Sequence, residues 1–260
     1  MSTMFKLGEF EIKWYSFLLL IAFTVGSFII YKNKNKLNLS KAEIGDLLFN
    51  LVIIAIIGAR VYYVTFNLDY YLPYPIDILK IWEGGLAIHG GIISGIIYLF
   101  YFCKKKNLSI IRMTDIIVIA LSLGQSIGRW GNFFNQEAYG PITTYARLKS
   151  LHIPSFIIDG MYINNQYHHP TFLYESIWCL IIFMVLLILV LLKIKKKGLY
   201  TSIYLIMYGI ERCVVEKMRQ DSLMLFNIKV AQVVSISMIL IGIIILIYNW
   251  RCKNGKYKCD

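Results

Sequence analysis

The sequence predicts an all-α, polytopic membrane protein with seven transmembrane helices, its amino terminus outside and its carboxyl terminus inside the cell. The 260-residue chain is 58% hydrophobic and only 16% charged, and its mean hydropathy is +0.61, whereas soluble domains are usually about 25% charged. Its apolar residues occur in runs close to the ~20 residues that span a bilayer core. Lysine-rich clusters follow alternate runs, which is typical of loops on the cytoplasmic side.

Seven apolar segments account for the predicted spans, and the longest polar loop lies between the fourth and the fifth. In order, the segments cover residues 14–31, 47–65, 84–103, 113–128, 171–192, 199–215 and 230–249, and the loop covers residues 129–168. The lysine clusters come after segments one, three, five and seven, so an odd number of spans agrees with termini on opposite sides. No internal repeat is evident, and we predict one membrane domain over residues 1–260.

Polar side chains from six segments are predicted to lie at one level. In the expected orientation His89 lies roughly 8 Å below the outer edge of segment three, at 1.5 Å rise per residue. The others lie near the outer ends of their segments, and they are Tyr15, Arg60, Gln125, Arg129, Glu175, Arg212 and Glu216. Ionisable groups within a bilayer are costly and usually face a cavity or one another. We therefore expect a polar site near the outer leaflet.

The stretch from Gly124 to Gly140 is the centre of this prediction. Four glycines within it permit close backbone approach and unusual φ values, and an arginine, two asparagines and a glutamate lie among them. These residue types suit an anionic headgroup. The alternative is a loop cap with a glycine-rich turn.

Two further groups of residues have alternative interpretations. Arg212, Glu216 and Arg219 are spaced i, i+4 and i+7 and lie on one helical face, as expected for a site or for an ion pair that eases insertion. His89 stands between glycines, which leave its ring accessible to a ligand. It could equally be a hydrogen-bonded packing residue.

The sequence lacks the motifs that are typical of several classes of function. The four histidines lack metal-ligand spacing, and there is no P-loop or dinucleotide fingerprint. The net charge of +12 lies in the lysine clusters, and no nucleic-acid motif accompanies it. We expect no metal, no cofactor and no nucleic acid. The remaining candidate groups are arginines that can hold a phosphate and a histidine or glutamate that can move a proton.

Four blocks of the sequence resemble the bacterial prolipoprotein diacylglyceryl transferase family. They are residues 128–137 (Gly-Arg-Trp-Gly-Asn-Phe-Phe-Asn-Gln-Glu), 85–91, 169–176 and 212–222, with weaker matches at residues 14–15 and 58–60. The blocks occur in order over nearly the whole chain. Two positions depart from the family pattern: Ser16 stands where glycine is common, and Glu211 stands where glycine or an apolar residue is often found.

The resemblance implies a reaction and a location. The family transfers the diacylglyceryl group of phosphatidylglycerol to the lipobox cysteine of a preprolipoprotein signal peptide, forming a thioether and releasing glycerol phosphate. The resemblance also implies a multi-pass protein of the bacterial plasma membrane. Its partners would be the bilayer, phosphatidylglycerol and the signal peptide.

The expected site residues follow from the matched blocks. Arg129 and Arg212 are expected to hold the phosphate, and His89 is the first candidate base for the thiol because imidazole titrates near neutrality. Glu216 or water is the alternative base. The remaining lipid-binding candidates are Tyr15, Arg60, Gln125, Asn132, Asn135 and Glu137, and the supporting ones are Gly128, Gly131, Tyr139, Gly140, Glu175 and Arg219.

Two rival functions are a small transporter or channel, in which intramembrane charges mark a pathway, and a structural membrane protein whose charges pair only for packing. Asp115 is the one charged residue in a span that does not fit clustering near the outer leaflet. Loop 141–168 is expected to be mobile and to admit the peptide.

Overall fold

The structure is a computed structural model that describes residues 3–7, 10–194, 196–218, 224–225 and 228–253. The chain divides into two compact units, one of residues 1–29 and 114–260 and the other of residues 30–113. The single membrane domain over residues 1–260 stays a prediction.

Helices make up most of both units, as expected. The long ones are α1 Trp14–Lys32, α3 Lys41–Thr65, α5 Ile88–Lys105, α6 Ile110–Asn135, α9 Thr171–Leu191, α10 Leu199–Met218 and α11 Val230–Lys253. The short ones are α2 Lys34–Leu37, α4 Leu68–Tyr71, α7 Tyr145–Ser150 and α8 Ser155–Gly160, with 3-10 turns at Pro75–Leu79 and Ile81–Glu83. Among the described residues, five helices are long and apolar enough to cross a membrane, namely α1, α3, α6, α9 and α11.

The other two predicted spans are helical but more polar, because α5 carries His89 and two lysines and α10 carries Glu211, Arg212 and Glu216. The polytopic, mainly helical character is thus supported, whereas the count of seven spans and the orientation stay predictions. The expectation of an all-α fold needs one correction, since short antiparallel strands are also present. They are β1 Thr3–Leu7 with β2 Phe10–Lys13, β3 Ile142–Thr143 and β4 Tyr162–Ile163 on either side of β5 Gln166–His168, and β6 Met224–Leu225 with β7 Ile228–Lys229.

Two helix boundaries differ from the predicted ones and move site residues. The third segment becomes helical only at Ile88, because Gly84 and Gly85 adopt φ values of 99° and 71°, outside the helical region. His89 therefore lies in the first turn of α5 rather than well inside the helix. The fourth segment continues to Asn135, so the first seven residues of the predicted outer loop are helical.

The predicted outer loop forms a packed core, which corrects the expectation of a mobile segment. Helices α7 and α8 and the sheet β3-β5-β4 enclose a set of buried side chains. These are Leu148, Ile153, Ile157, Ile158, Met161, Ile163 and Phe172, with Trp130 and Phe133 of α6 packed against them. Fully burying a large apolar side chain contributes about 1.5–3 kcal/mol, so this set outweighs the polar composition that suggested a loop.

Helix α1 runs antiparallel to α6. At one end Trp14 stacks on Phe134, with ring centroids 4.7 Å apart and planes inclined by 11°. At the other end a Cβ placed on Gly26 would lie 3.7 Å from Cβ of Ala120. Small residues permit this close approach of apolar helices.

In the unit of residues 30–113, α3 and α5 pack closely through glycines. A Cβ on Gly90 would overlap the carbonyl oxygen of Gly58, and the Ser94 hydroxyl donates a 3.0 Å hydrogen bond to the Ile54 carbonyl. Since an apolar solvent provides no hydrophobic force between helices, such small-residue contacts and hydrogen bonds hold them together.

Asp115 of α6 caps the start of α10. Its carboxylate is buried and accepts hydrogen bonds from the Gly198 N–H (2.6 Å), the Thr201 N–H (2.9 Å) and the Thr201 hydroxyl (2.8 Å). The first N–H groups of a helix have no partner within the helix, and an acidic group there also complements the helix dipole. Asp115 is therefore accounted for as a helix cap, without a transport pathway.

Replacing Asp115 by Ala leaves these donors unpaired and is expected to lower the free energy of unfolding by about 1–3 kcal/mol. The measurement is denaturant unfolding of the purified protein in micelles. The control is Ser237→Ala, which removes an exposed 2.9 Å hydrogen bond to the Val233 carbonyl. It should lower the free energy of unfolding by only a few tenths of the amount expected for D115A. Equal stabilities of D115A and S237A would contradict the capping role.

Candidate active site

The carboxylate of Glu175 joins two arginines from different helices. Glu175 lies in the second turn of α9 and is 2% exposed. Its Oε2 lies 2.8 Å from Nη1 of Arg129 on α6, and its Oε1 lies 2.6 Å from Nη1 of Arg212 on α10. One buried anion thus holds two guanidinium groups that would otherwise repel each other.

A second carboxylate completes this group of side chains. Oε2 of Glu216 lies 2.8 Å from Nη2 of Arg212, one helical turn along α10, so the predicted intrahelical ion pair is present. The two arginine side chains are 18% and 14% exposed, whereas the two carboxylates are 2% and 3% exposed. The guanidinium groups are therefore the accessible part of this ion cluster, which we define as Arg129, Glu175, Arg212 and Glu216.

Serine side chains set the register of α6 and α9 beside the ion cluster. The Ser126 hydroxyl donates to the Ser176 carbonyl (2.9 Å), and the Ser176 hydroxyl donates to the Ser126 carbonyl (2.8 Å). Ser176 directly follows Glu175, and Ser126 precedes Arg129 by three residues on the same face. A shift of either helix would break both bonds, which keeps the Arg129–Glu175 pair in place.

Arg129 lies on a helix because aromatic residues that follow it pack, partly buried, against the core of the loop. Trp130 and Phe133 pack against Phe172, with ring centroids 5.4 and 4.9 Å apart. This packing continues α6 past Gly128, where the sequence alone indicated a loop. The glycines of this stretch permit unusual φ values but do not adopt them, and the left-handed φ values, 53° and 56°, belong to Gln136 and Ala138.

At the end of α6 two amides hold one carboxylate. Nδ2 of Asn132 and Nδ2 of Asn135 donate to Oε1 of Glu137 at 3.1 and 3.2 Å. Oδ1 of Asn135 is buried and has no hydrogen-bond partner within the part of the chain that the structure describes. An acceptor in that state suits a ligand hydroxyl, while lipid contact by all three residues stays a prediction.

The glycines of the same helix admit neighbouring side chains. A Cβ on Gly131 would lie 2.5 Å from Cδ2 of Tyr15, so Tyr15 occupies the space above this glycine. A Cβ on Gly128 would lie 4.0 Å from Cδ2 of Leu19. Gln125, one turn earlier on α6, accepts a 2.9 Å hydrogen bond from the Tyr204 hydroxyl. These contacts explain Gly128 and Gly131 as packing positions.

Residues 139–140 attach the packed loop to the start of α9. The Gly140 N–H donates to the His169 carbonyl at 2.9 Å, and the Tyr139 ring lies 4.4 Å from the His168 ring. The two histidines face different partners, because Nδ1 of His168 lies 3.0 Å from the Gly140 carbonyl and Nδ1 of His169 lies 3.1 Å from the Tyr174 hydroxyl. Burial, reinforced by the charge of Arg147, lowers the pKa of His169, so its imidazole is neutral at neutral pH.

Arg60 and His89 belong to the other unit, so their distance from the ion cluster stays a prediction. Arg60 is buried and donates to the carbonyls of a nearby loop. The acceptors are Asp77, Ile78, Gly84 and Gly85, at 2.5–3.0 Å. This arrangement explains Arg60 as the residue that orders residues 77–85. His89 is exposed, with its ring centroid 6.1 Å from that of Tyr62.

Sequence reasoning underrated two residues. Glu175 was expected only to support the site, yet it joins both arginines, and Glu211 was regarded only as a departure although it is buried beside Arg212. The signal that could have identified both residues as part of the site is a carboxylate inside an apolar segment. Arg219 lies outside the described residues.

Comparisons with known proteins show the family of the chain. A family model described as "Prolipoprotein diacylglyceryl transferase" matches residues 2–248. The chain is 44% identical to a protein of Staphylococcus xylosus over 98% of its own length and 91% of that protein. It is also 44% identical to one of Staphylococcus haemolyticus (95% and 87%) and one of Staphylococcus aureus strain MSSA476 (94% and 88%). All three are named phosphatidylglycerol–prolipoprotein diacylglyceryl transferase.

Replacing Glu175 by Gln should destabilise the protein strongly, because two arginines would then share an uncharged partner. Breaking a buried ion pair costs about 3–5 kcal/mol, and the same loss is expected in the free energy of unfolding measured in micelles.

The matched control is Lys106→Ala, which breaks an exposed ion pair to Glu43 of 2.6 Å and should cost under about 1 kcal/mol. If E175Q unfolded within 1 kcal/mol of the wild-type protein, the carboxylate would not be what holds the arginines together.

Proposed function

Because the chain belongs to the prolipoprotein diacylglyceryl transferase family, we propose that it transfers the diacylglyceryl group of phosphatidylglycerol to a cysteine thiol of a prolipoprotein. The observation that carries this proposal is the pair of accessible guanidinium groups held side by side by Glu175. Two arginines so placed match a phosphodiester, the charged part of the donor lipid.

The arginines bind the phosphate and stabilise the leaving group. Each guanidinium carries five N–H donors in a planar fork, and the ion pairs engage Nη1 of Arg129 and both Nη atoms of Arg212. When the glyceryl C–O bond breaks, the phosphate gains negative charge. Fixed cations in an apolar surrounding stabilise that charge far more than they would in water.

The chemistry is a displacement at the glyceryl carbon. The cysteine sulfur loses its proton and forms a C–S bond to the carbon that bears the phosphate ester. The C–O bond breaks, its electron pair stays with the phosphate oxygen, and glycerol phosphate departs. No oxidant, reductant or second phosphate donor is needed, since the existing ester supplies the leaving group.

We assign the thiol proton to His89, with Glu216 or water as the alternative base. His89 is exposed in the first turn of α5, so a substrate can reach its ring. Glu216 binds Arg212 through Oε2, and this contact suits it to positioning the arginine. A base must come within hydrogen-bond reach of the thiol in the substrate complex.

The end of α6 binds the glycerol part of the headgroup in this proposal. Asn132, Asn135 and Glu137 form a hydrogen-bonded set three to eight residues beyond Arg129, and the buried Oδ1 of Asn135 supplies an acceptor for a hydroxyl. Tyr15, against Gly131, borders the same turns of α6. Arg60 acts indirectly, by ordering residues 77–85.

The site faces the extracytoplasmic side of the bacterial plasma membrane. A secreted precursor carries an apolar segment followed by small residues near its processing site, so the lipobox cysteine that ends this segment lies at the membrane surface. The phosphate of the donor lipid lies at the same depth. A site at the outer ends of α6 and α10 and at the start of α9 is within reach of both the cysteine and the lipid phosphate.

One assay separates this enzyme from the transporter and the structural protein. Purified protein, phosphatidylglycerol and a lipobox peptide are incubated together, and the mass of the peptide is then measured by mass spectrometry. A diacylglyceryl adduct on cysteine supports the transferase, whereas the rivals leave the peptide unmodified.

Lysine at either arginine keeps the positive charge for Glu175 but removes the planar fork. Arg129→Lys and Arg212→Lys should each reduce transfer by about 10²-fold or more, with the unfolding midpoint close to wild type. Alanine at either position should abolish transfer. The measurement is the initial rate of adduct formation, and transfer within threefold of wild type in R129K or R212K would remove that arginine from phosphate binding.

Replacing His89 by Gln removes the proposed base and keeps a polar side chain of similar size. We expect the rate of transfer to fall by about 10²–10⁴, measured across pH with the same peptide. His152→Gln, at an exposed histidine of the packed loop, serves as the control and should retain full activity. A rate for H89Q within a few-fold of wild type, with the same pH dependence, would assign the proton to Glu216 or water.

A further inference from the structure

Glu211 carries a buried carboxyl group to which none of the described residues donates a hydrogen bond. It precedes Arg212 on α10 and is 4% exposed. Neither Oε1 nor Oε2 has a hydrogen-bond partner within residues 3–7, 10–194, 196–218, 224–225 and 228–253. An unpaired buried polar group is costly, and an unpaired buried charge is more so. The contacts within the ion cluster do not explain why this carboxyl group is there.

The groups that act on Glu211 come from three helices. Their charges or titratable atoms interact with its carboxyl group electrostatically, and they are Arg129 of α6, Glu175 and Cys179 of α9, and Tyr204, Tyr208 and Arg212 of α10. Both arginines of the proposed phosphate site are in this set. Glu211 therefore shares the electrostatic environment of that site.

The charges of the ion cluster balance without Glu211. Arg129 and Arg212 provide two positive charges, and Glu175 and Glu216 provide two negative ones. A carboxylate at Glu211 would add an unbalanced negative charge where an anionic phosphodiester has to bind. A neutral carboxylic acid adds none, and its O–H can donate a hydrogen bond to a phosphate oxygen.

We propose that Glu211 holds a proton in the resting protein and donates it to the phosphate of the departing glycerol phosphate. This inference rests on the proposed function, because the transferase reaction supplies the phosphate that accepts the proton.

The step balances with the groups already named. The sulfur forms its bond to the glyceryl carbon, the C–O bond breaks, and its electron pair goes to the phosphate oxygen. The Glu211 proton moves to the phosphate, so that glycerol phosphate leaves as a monoanion. The resulting carboxylate is protonated again by the proton that the thiol released, so the reaction consumes no further acid.

The expected effect is limited, because Arg129 and Arg212 already stabilise the charge that develops on the leaving phosphate. Positioned general acids accelerate reactions by about 10²–10⁴, and we expect an effect near or below the lower end of that range. Glu211 thus tunes the rate and its pH dependence in this chain.

The test compares the full-length protein with Glu211→Gln in micelles that contain phosphatidylglycerol, using the peptide assay. We expect kcat to fall about tenfold at neutral pH while KM for the lipid stays within twofold. The ratio of wild-type to E211Q rates should decline as pH rises, because only wild type loses a proton. An unchanged kcat would overturn the proposal, and so would a several-fold lower KM, since that result means that a negative charge had opposed the lipid.

Infrared spectroscopy tests the proton independently of activity. The wild-type minus E211Q difference spectrum should contain the C=O band of a protonated carboxylic acid at neutral pH, and its absence would overturn the proposal. Glu211→Met repeats this comparison if E211Q does not fold, and Glu83→Gln, at an exposed carboxylate of the other unit, should show no such band. Wild type without any adduct would refute the proposed function instead, while the infrared result would still decide the state of Glu211.

Discussion

The carboxylate of Glu175 holds two guanidinium groups close together in a largely apolar environment, and the geometry of the candidate site depends on this contact. Two arginines repel each other, and moving each of them out of water costs several kcal/mol. A single buried anion with one oxygen toward each arginine offsets both costs. The same contact ties α6, α9 and α10 together, so the proposed phosphate-binding arrangement also has a structural role.

The parts around the ion cluster keep it in position. The reciprocal bonds between Ser126 and Ser176 prevent α6 from sliding along α9. Trp130 and Phe133, which follow Arg129 on α6, pack against the core of the loop, and this packing keeps that arginine on a helix. A binding site needs such support, because small displacements of charged groups weaken their contacts with a ligand.

Buried charged residues of this chain differ in what they contact, and the difference separates structural from functional roles. Arg60 donates to backbone carbonyls of a loop, and Asp115 accepts from the first N–H groups of α10. Both satisfy backbone groups that would otherwise be unpaired. Arg129 and Arg212 instead contact side chains and keep part of their surface accessible, which is the arrangement that a ligand requires. Glu211 fits neither description, since its oxygens have no partner among the described residues.

The sequence by itself determined the membrane-protein character, the family and the pairing of Arg212 with Glu216, because hydropathy, motif order and i, i+4 spacing are local properties of the chain. Only the tertiary structure decided that Glu175 joins the two arginines, since that contact links residues 46 and 37 positions apart along the chain. It also decided that α6 extends through Arg129 and that residues 141–168 form a core. Both depend on aromatic and aliphatic side chains finding partners on other elements, and burial against distant partners overrides the local preference for a loop.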